Sequence, residues 1–109
     1  MFTPRVYNLK EIINAHLYSS ISVDELSKLC ALSRSSFIRE FKKIYDQAPA
    51  AYLKNEKLKR AAELLKLSSN SVSTIAYSCG FNNLAHFSRS FIEKYHIPPS
   101  KYKLKQIDN

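Results

Sequence analysis

Glycine occurs once in these 109 residues, tryptophan never, cysteine twice and proline four times. Each scarcity excludes something. A β-rich fold turns every few residues and draws on glycine and proline to do so, and this composition cannot supply those turns. The fold class expected is therefore all-α. Cys30 and Cys79 show no C-x-x-C spacing, and the three histidines His16, His86 and His96 are scattered. That is too little for a zinc site or a disulfide framework, so no metal and no cofactor are expected. Two thiols in apolar contexts read as buried and reduced, as in a cytoplasmic protein. No apolar run reaches the ~20 residues of a membrane span. The opening "MFTPRVYNLK" lacks the apolar core of a secretion signal. No membrane partner is expected. The histidines also form no nucleophile, acid–base or metal constellation, so the chain does not read as an enzyme.

Acidic residues are scarce too. Seventeen Lys and Arg stand against nine Asp and Glu, for a net charge of +8. The excess is +3 up to Lys54 and +5 beyond it, so both halves carry it. A small helical chain with this balance points to a polyanionic partner, above all nucleic acid. A hydrophobic share of 45% is enough for a packed core.

Caps and apolar spacing mark seven helices. Pro4 opens the first, with Tyr7, Ile12, Ile13 and Leu17 as its stripe, ending near Tyr18. Ser22 and Glu25 form a capping box for a second helix carrying Val23, Leu26 and Leu29. Ser33 caps a third, with Phe37, Phe41, Ile44 and Tyr45 on one side. A long fourth helix runs from Pro49 to about Leu67. Ser71 caps a fifth, Asn82 or Asn83 a sixth, and a short last helix covers about Lys101 to Lys105 before a frayed tail.

The two halves repeat. Ser22, Val23, Leu26, Cys30 and Leu32 match Ser71, Val72, Ile75, Cys79 and Phe81 at an offset of 49. Phe37, Arg39, Phe41, Tyr45, Pro49 and Tyr52 match Phe87, Arg89, Phe91, Tyr95, Pro99 and Tyr102 at an offset of 50. One residue is inserted between Phe81 and Phe87. The unit is helix–turn–helix, occurring in 1–48 and again in 68–109, with 49–67 as a linking helix. Gly80 falls where the first helix of the second unit must end on a left-handed residue, and Ala31 holds that place in the first unit.

In such a unit the second helix can enter a DNA major groove. With Phe37, Phe41 and Tyr45 inward, Ser35, Ile38, Arg39 and Lys42 form the outward stripe of one helix. With Leu84, Phe87 and Phe91 inward, Ala85, Ser88, Arg89 and Ile92 form that of the other. Arg39 and Arg89 can fork onto guanine, Ser35 and Ser88 can donate or accept, and Ile38 and Ala85 can pack on a thymine methyl. Arg34, Lys42, Lys43 and the helix N-termini at Ser33 and at Asn82 or Asn83 suit phosphates. His86, beside Phe87, reads as a packed structural histidine. The 19-residue linking helix spans about 28 Å at ~1.5 Å per residue, near the ~34 Å between major grooves on one face of a duplex. A monomer is thus expected to read two adjacent segments of double-stranded DNA. A helical protein-interaction module and a structured-RNA binder are the competing readings. The arginines at matching outward positions favour DNA.

These residues resemble the C-terminal DNA-binding domain of AraC/XylS-type transcription regulators. The resemblance rests on "IAYSCGFNNLAHFSRSFIEKYHIPPSKYK", with I-A, then G-F, then F-S-R-x-F, then P-x-x-Y, and less closely on "SVDELSKLCALSRSSFIREFKKIYDQAPAAYL". It covers roughly residues 5 to 103. It implies a seven-helix, homeodomain-like fold of two helix-turn-helix subdomains joined by a long helix. It also implies binding near promoters and an RNA polymerase contact; an activator is expected, with repression left open. Base-facing residues carried over by position are Ser35, Ile38, Arg39, Ala85, Ser88 and Arg89. Lys103, where arginine is usual, is carried over as a phosphate contact. Asp46 and His96 stand where the family has glycine, and a left-handed backbone is expected to persist there. Such regulators mostly carry a sensing or dimerisation domain ahead of this one. The 109 residues are either an excised domain or a small stand-alone regulator, expected to be monomeric, with dimerisation of a full regulator left to that other domain.

Overall fold

The computed structural model describes residues 4–107, with side chains described for residues 9–104. Within them lie seven helices and no strand: α1 (Pro4–Ala15), α2 (Val23–Leu29), α3 (Arg34–Tyr45), α4 (Pro49–Leu67), α5 (Val72–Ser78), α6 (Leu84–Tyr95) and α7 (Pro99–Ile107). Four helices start as the sequence predicts. The Ser22 hydroxyl accepts from the Glu25 amide while the Glu25 carboxylate accepts from the Ser22 amide, closing a capping box on α2. Ser33, Ser71 and Asn83 accept from the amides of Ser36, Thr74 and His86 at the starts of α3, α5 and α6. A polar cap of this kind is worth about 1 kcal/mol. Pro49 and Pro99 open α4 and α7 at the first helical position, where a missing N–H costs nothing.

Three expectations are corrected. α1 stops at Ala15 rather than near Tyr18, because the His16 amide bonds both Ile12 and Ile13 carbonyls and the chain turns there. Leu29 is 51% exposed, since Cys30, four residues after Leu26, takes the core position instead. The last helix is longer than 101–105, running from Pro99 to Ile107. The side chains of Tyr7 and Lys105 lie outside the described residues, as do Asp108 and Asn109 of the expected tail.

The chain divides into two compact units. The first holds the residues up to Leu17 and Ile21–Lys54; the second holds Tyr18–Ser20 and the residues from Asn55 on. In the first, α1 packs on α2 and α2 on α3 around Leu9, Ile13, Leu26, Cys30, Phe37, Phe41 and Leu53. In the second, α5 packs on α6 and α6 on α7 around Leu58, Ala61, Leu65, Ile75, Phe87 and Phe91. The repeat reaches further back than the helix-turn-helix segments. Leu9 and Ile13 of α1 correspond, at the offset of 49, to Leu58 and Ala62 of α4, and all four are buried. α4 thus has two duties. Tyr52 and Leu53 near its start close the first core, as Tyr102 of α7 does the second. Its later turns serve the second core as α1 serves the first.

Both units turn between their paired helices by the same device. The amides of Ala31 and Leu32 bond the carbonyls of Lys28 and Ser27, and those of Gly80 and Phe81 bond Tyr77 and Ala76. This is the Schellman closure, which needs a left-handed residue just past the helix. Ala31 adopts φ 57° and Gly80 φ 100°. Asp46 and His96 end α3 and α6 at φ 58° and 65°, so the left-handed backbone expected at those two positions is present. Positive φ therefore does not by itself explain the single glycine, because three other residue types accept it. The further reason is proximity. A Cβ on Gly80 would lie 2.6 Å from the backbone oxygens of both Tyr18 and Ser19. The Ser20 hydroxyl and the Lys57 ammonium donate to the Gly80 carbonyl at 3.1 and 3.4 Å, and burial lowers the Lys57 pKa. Arg60 lies 5.8 Å from the Tyr18 ring centroid, over the same segment.

Gly80→Ala is expected to destabilise the protein by about 2 kcal/mol or more, since left-handed strain adds to a clash with backbone. Ala31→Gly is expected to stabilise it by about 0.5–1 kcal/mol, because Ala31 is exposed and only its φ is unfavourable. Urea midpoints of the two variants check both signs. The Glu25 carboxyl is held below its usual range chiefly by its bond from the Ser22 amide. The capping-box contribution is therefore present above the ordinary carboxylate range and is lost as pH falls through the lowered value. Glu25→Gln, whose amide oxygen accepts at any pH, should flatten that part of the acid unfolding curve.

Candidate nucleic-acid interface

An aromatic ladder sets the rotation of each second helix. In α3, Phe37 and Phe41 are fully buried, with ring centroids 5.8 Å apart. Phe41 stacks on Tyr45 at 4.4 Å and meets Tyr52 of α4 edge-on at 5.5 Å. In α6 the same ladder recurs: Phe87–Phe91 at 5.7 Å, Phe91–Tyr95 at 4.7 Å and Phe91–Tyr102 of α7, edge-on, at 5.3 Å. Such pairs are each worth about 0.5–1.5 kcal/mol beyond burial. Burial also raises the Tyr45 and Tyr95 pKa values, so both stay neutral phenols. Phe81 adds an edge-on contact to Phe87 at 5.0 Å in the second unit.

With that side fixed, the opposite side of each helix carries the residues that the sequence placed outward. On α3, Ser35, Arg39, Lys42 and Lys43 are exposed and Ile38 is partly buried. Arg39 reaches back to the Ser36 hydroxyl at 3.3 Å, and Lys43 pairs with Glu40 at 3.2 Å. On α6, Ala85 and Arg89 are exposed and Ser88 is partly buried. Arg89 has no hydrogen-bond or ion-pair partner among the described residues. Three α6 residues differ from expectation. Leu84 is 38% exposed rather than inward, because it opens the helix ahead of the first buried turn. Ser90, not singled out by the apolar pattern, is buried beside Phe87 and Phe91. His86 is exposed, with only a distant ring contact to Phe81 at 6.0 Å, and is not a packed core histidine.

The residues expected at phosphates are engaged to different degrees. Arg34 pairs with Asp24 of α2, and both side chains are largely exposed. Such a pair contributes at most about 1 kcal/mol and yields readily to a phosphate. The side chains of Ser33 and Asn83 are occupied as caps, while Asn82 is the exposed extra residue in the second turn. Lys103 donates its ammonium to the Ser68 carbonyl at 2.6 Å, just beyond the end of α4. There it complements the negative end of that helix.

The helix-turn-helix domain family matches residues 26–105, and the chain belongs to the AraC-type helix-turn-helix DNA-binding domains. It is similar to the HTH-type transcriptional regulator GbdR of Pseudomonas aeruginosa, with 34% identity over 88% of this chain and 26% of GbdR. It is also 37% identical, over 74% of its length, to 27% of an uncharacterised HTH-type transcriptional regulator of Haemophilus influenzae. The chain thus spans about a quarter of the length of these curated relatives. Among solved structures, the DNA-binding domain of the global transcriptional factor AdpA, in complex with a target DNA, superposes with a TM-score of 0.84 at 26% identity, over 90% of this chain and 91% of that one.

Phe87→Ala is expected to cost ~3–5 kcal/mol, as a core aromatic does, whereas Leu84→Ala should stay within about 0.5 kcal/mol. Denaturant titration of the pair tests which side of α6 faces the core.

Proposed function

We propose that this chain binds double-stranded DNA sequence-selectively in transcription regulation, with α3 and α6 as its two recognition helices reading adjacent major-groove segments. The observation that carries the reading is the matched placement of Arg39 and Arg89. Each is exposed, and each lies on the helix side away from a buried aromatic ladder. In this role each guanidinium grips the O6 and N7 of a guanine, a contact worth ~1–3 kcal/mol of discrimination. Ser35 and Ser88 add hydrogen bonds, and Ile38 and Ala85 add apolar contacts to bases. Lys42, Lys43 and Arg34, released from Asp24, grip phosphates together with the amides at the starts of α3 and α6. Asn82 and Lys103 stand at the edges of that set. The AdpA domain, which shares this fold, binds its target DNA, and this supports the same mode here. The net charge of +8 supports it as well, since neutralised phosphates release counterions. In a longer regulator the domain acts in the cytoplasm beside RNA polymerase, as an activator.

Binding of the 109-residue chain to a duplex selected from a random library, and to random duplex, at two salt concentrations tests the reading. Arg39→Ala and Arg89→Ala should each lose about 5- to 150-fold on the selected duplex and little on random duplex. Lys42→Ala and Lys43→Ala should weaken both alike and lower the salt slope by about one each. Equal losses on the two duplexes for the arginine variants would remove the groove assignment.

A further inference from the structure

The duplication repeats the fold of the reading helix but not its chemistry. At the offset of 50, Arg34 becomes Leu84, Ser35 becomes Ala85, Lys42 becomes Ile92 and Lys43 becomes Glu93, while Ile38 becomes Ser88 and Arg39 remains Arg89. The cores behind the two helices are alike, so the difference lies in what each presents outward. On α6 two of the four outward residues are apolar, Ala85 and Ile92, and they flank Arg89 at i, i+4 and i+7, with Ser88 as the remaining polar member. Ile92 is 42% exposed, and Leu84, 38% exposed, stands at the helix's N-terminal edge. A lysine fits the place of Lys42 if it meets a phosphate. An isoleucine at the same place gains nothing from a phosphate and would stay wetted for no return.

We infer that the two recognition helices divide the labour of DNA binding: α3 supplies the charge-driven, salt-sensitive grip, and α6 reads thymine C5-methyl groups through Ile92 and Ala85 on either side of Arg89, with Leu84 at the margin. The inference rests on the DNA-binding reading and deepens it. Its ligand chemistry is the thymine methyl, the one apolar group on the floor of the major groove, where small and branched apolar side chains make their sequence-specific contacts. Continuity with Arg89 selects this occupant over a protein surface, because Ala85 and Ile92 cannot be covered by another polypeptide while Arg89 enters a groove. The preferred sequence should accordingly pair a guanine with flanking thymines in the segment that α6 reads.

The test uses the duplex that the 109-residue chain enriches from a random library, with each thymine replaced in turn by deoxyuridine, which removes the methyl alone. Burying a carbon of that size is worth about a fourfold change in affinity, so one or more replacements should weaken the parent protein by about that factor. In Ile92→Ala the same replacements should cost less than about twofold. In Ile92→Lys they should also cost little, while the salt slope steepens by about one as the chemistry of Lys42 is restored. Leu84→Ala provides a second reduction at the edge of the same segment. Urea midpoints matching the parent certify that the variants fold. If no replacement matters to the parent, or the costs are identical in all variants, as for a patch that serves a protein, the division of labour is overturned while Arg39→Ala and Arg89→Ala still lose selectivity. If no sequence is enriched, or the arginine variants lose equally on every duplex, the DNA-reading proposal itself falls and the inference with it.

Discussion

The ladder of rings along one side of α3 and of α6 is the constraint on which everything else depends. A helix held at one residue can rotate about its axis. One held at i, i+4 and i+8 by interlocked aromatics cannot, because rotating α3 by one residue's worth of turn would expose a phenylalanine and turn Lys42 or Glu40 inward. Phe41 and Phe91 are the hubs, each touching rings ahead of it, behind it and on the following helix. Since burying large apolar surface outweighs any surface ion pair, the ladder decides which residues are left outside. The outward stripe is in that sense a by-product of the inward one, open to change without risk to the fold. That freedom explains how one duplicated scaffold can carry a more cationic stripe in one copy and a more apolar one, around a shared arginine, in the other.

Most of the helix boundaries were legible in the sequence because their signals are local. Serine or asparagine caps, a capping box and proline at the first position act within four residues of where they stand. Leu84 and Leu29 went the other way. Helical spacing placed both with the core, yet whether the first turn or the last is covered depends on a neighbouring helix that spacing does not contain. His86 failed for the same reason. Ser27 and Ser90 are buried although polar, satisfying close approach between helices rather than an apolar pattern. The second-copy substitutions at Leu84 and Ile92 are visible in the sequence once the copies are compared outside their matching positions as well as within them.

Gly80 shows where local reasoning stops. A left-handed residue was expected there, and the same backbone occurs at Ala31, Asp46 and His96 without glycine. What separates Gly80 from those three is a strand of backbone arriving from sixty positions earlier in the chain, close enough to forbid even a methyl group. Such a requirement leaves no trace in the residues beside it.

That crossing segment has an evolutionary consequence. Residues 18–20 lie between α1 and α2 of the first unit, yet they belong to the compact body of the second. A fragment beginning at Asn55 would therefore lose the lid over its own tightest bend, and one ending at Lys54 would keep three residues with nothing to cover. Whatever ancestor was doubled to make this chain, the later copy has since recruited three residues from the sequence of the earlier one, so no single scissor cut now separates the two bodies cleanly.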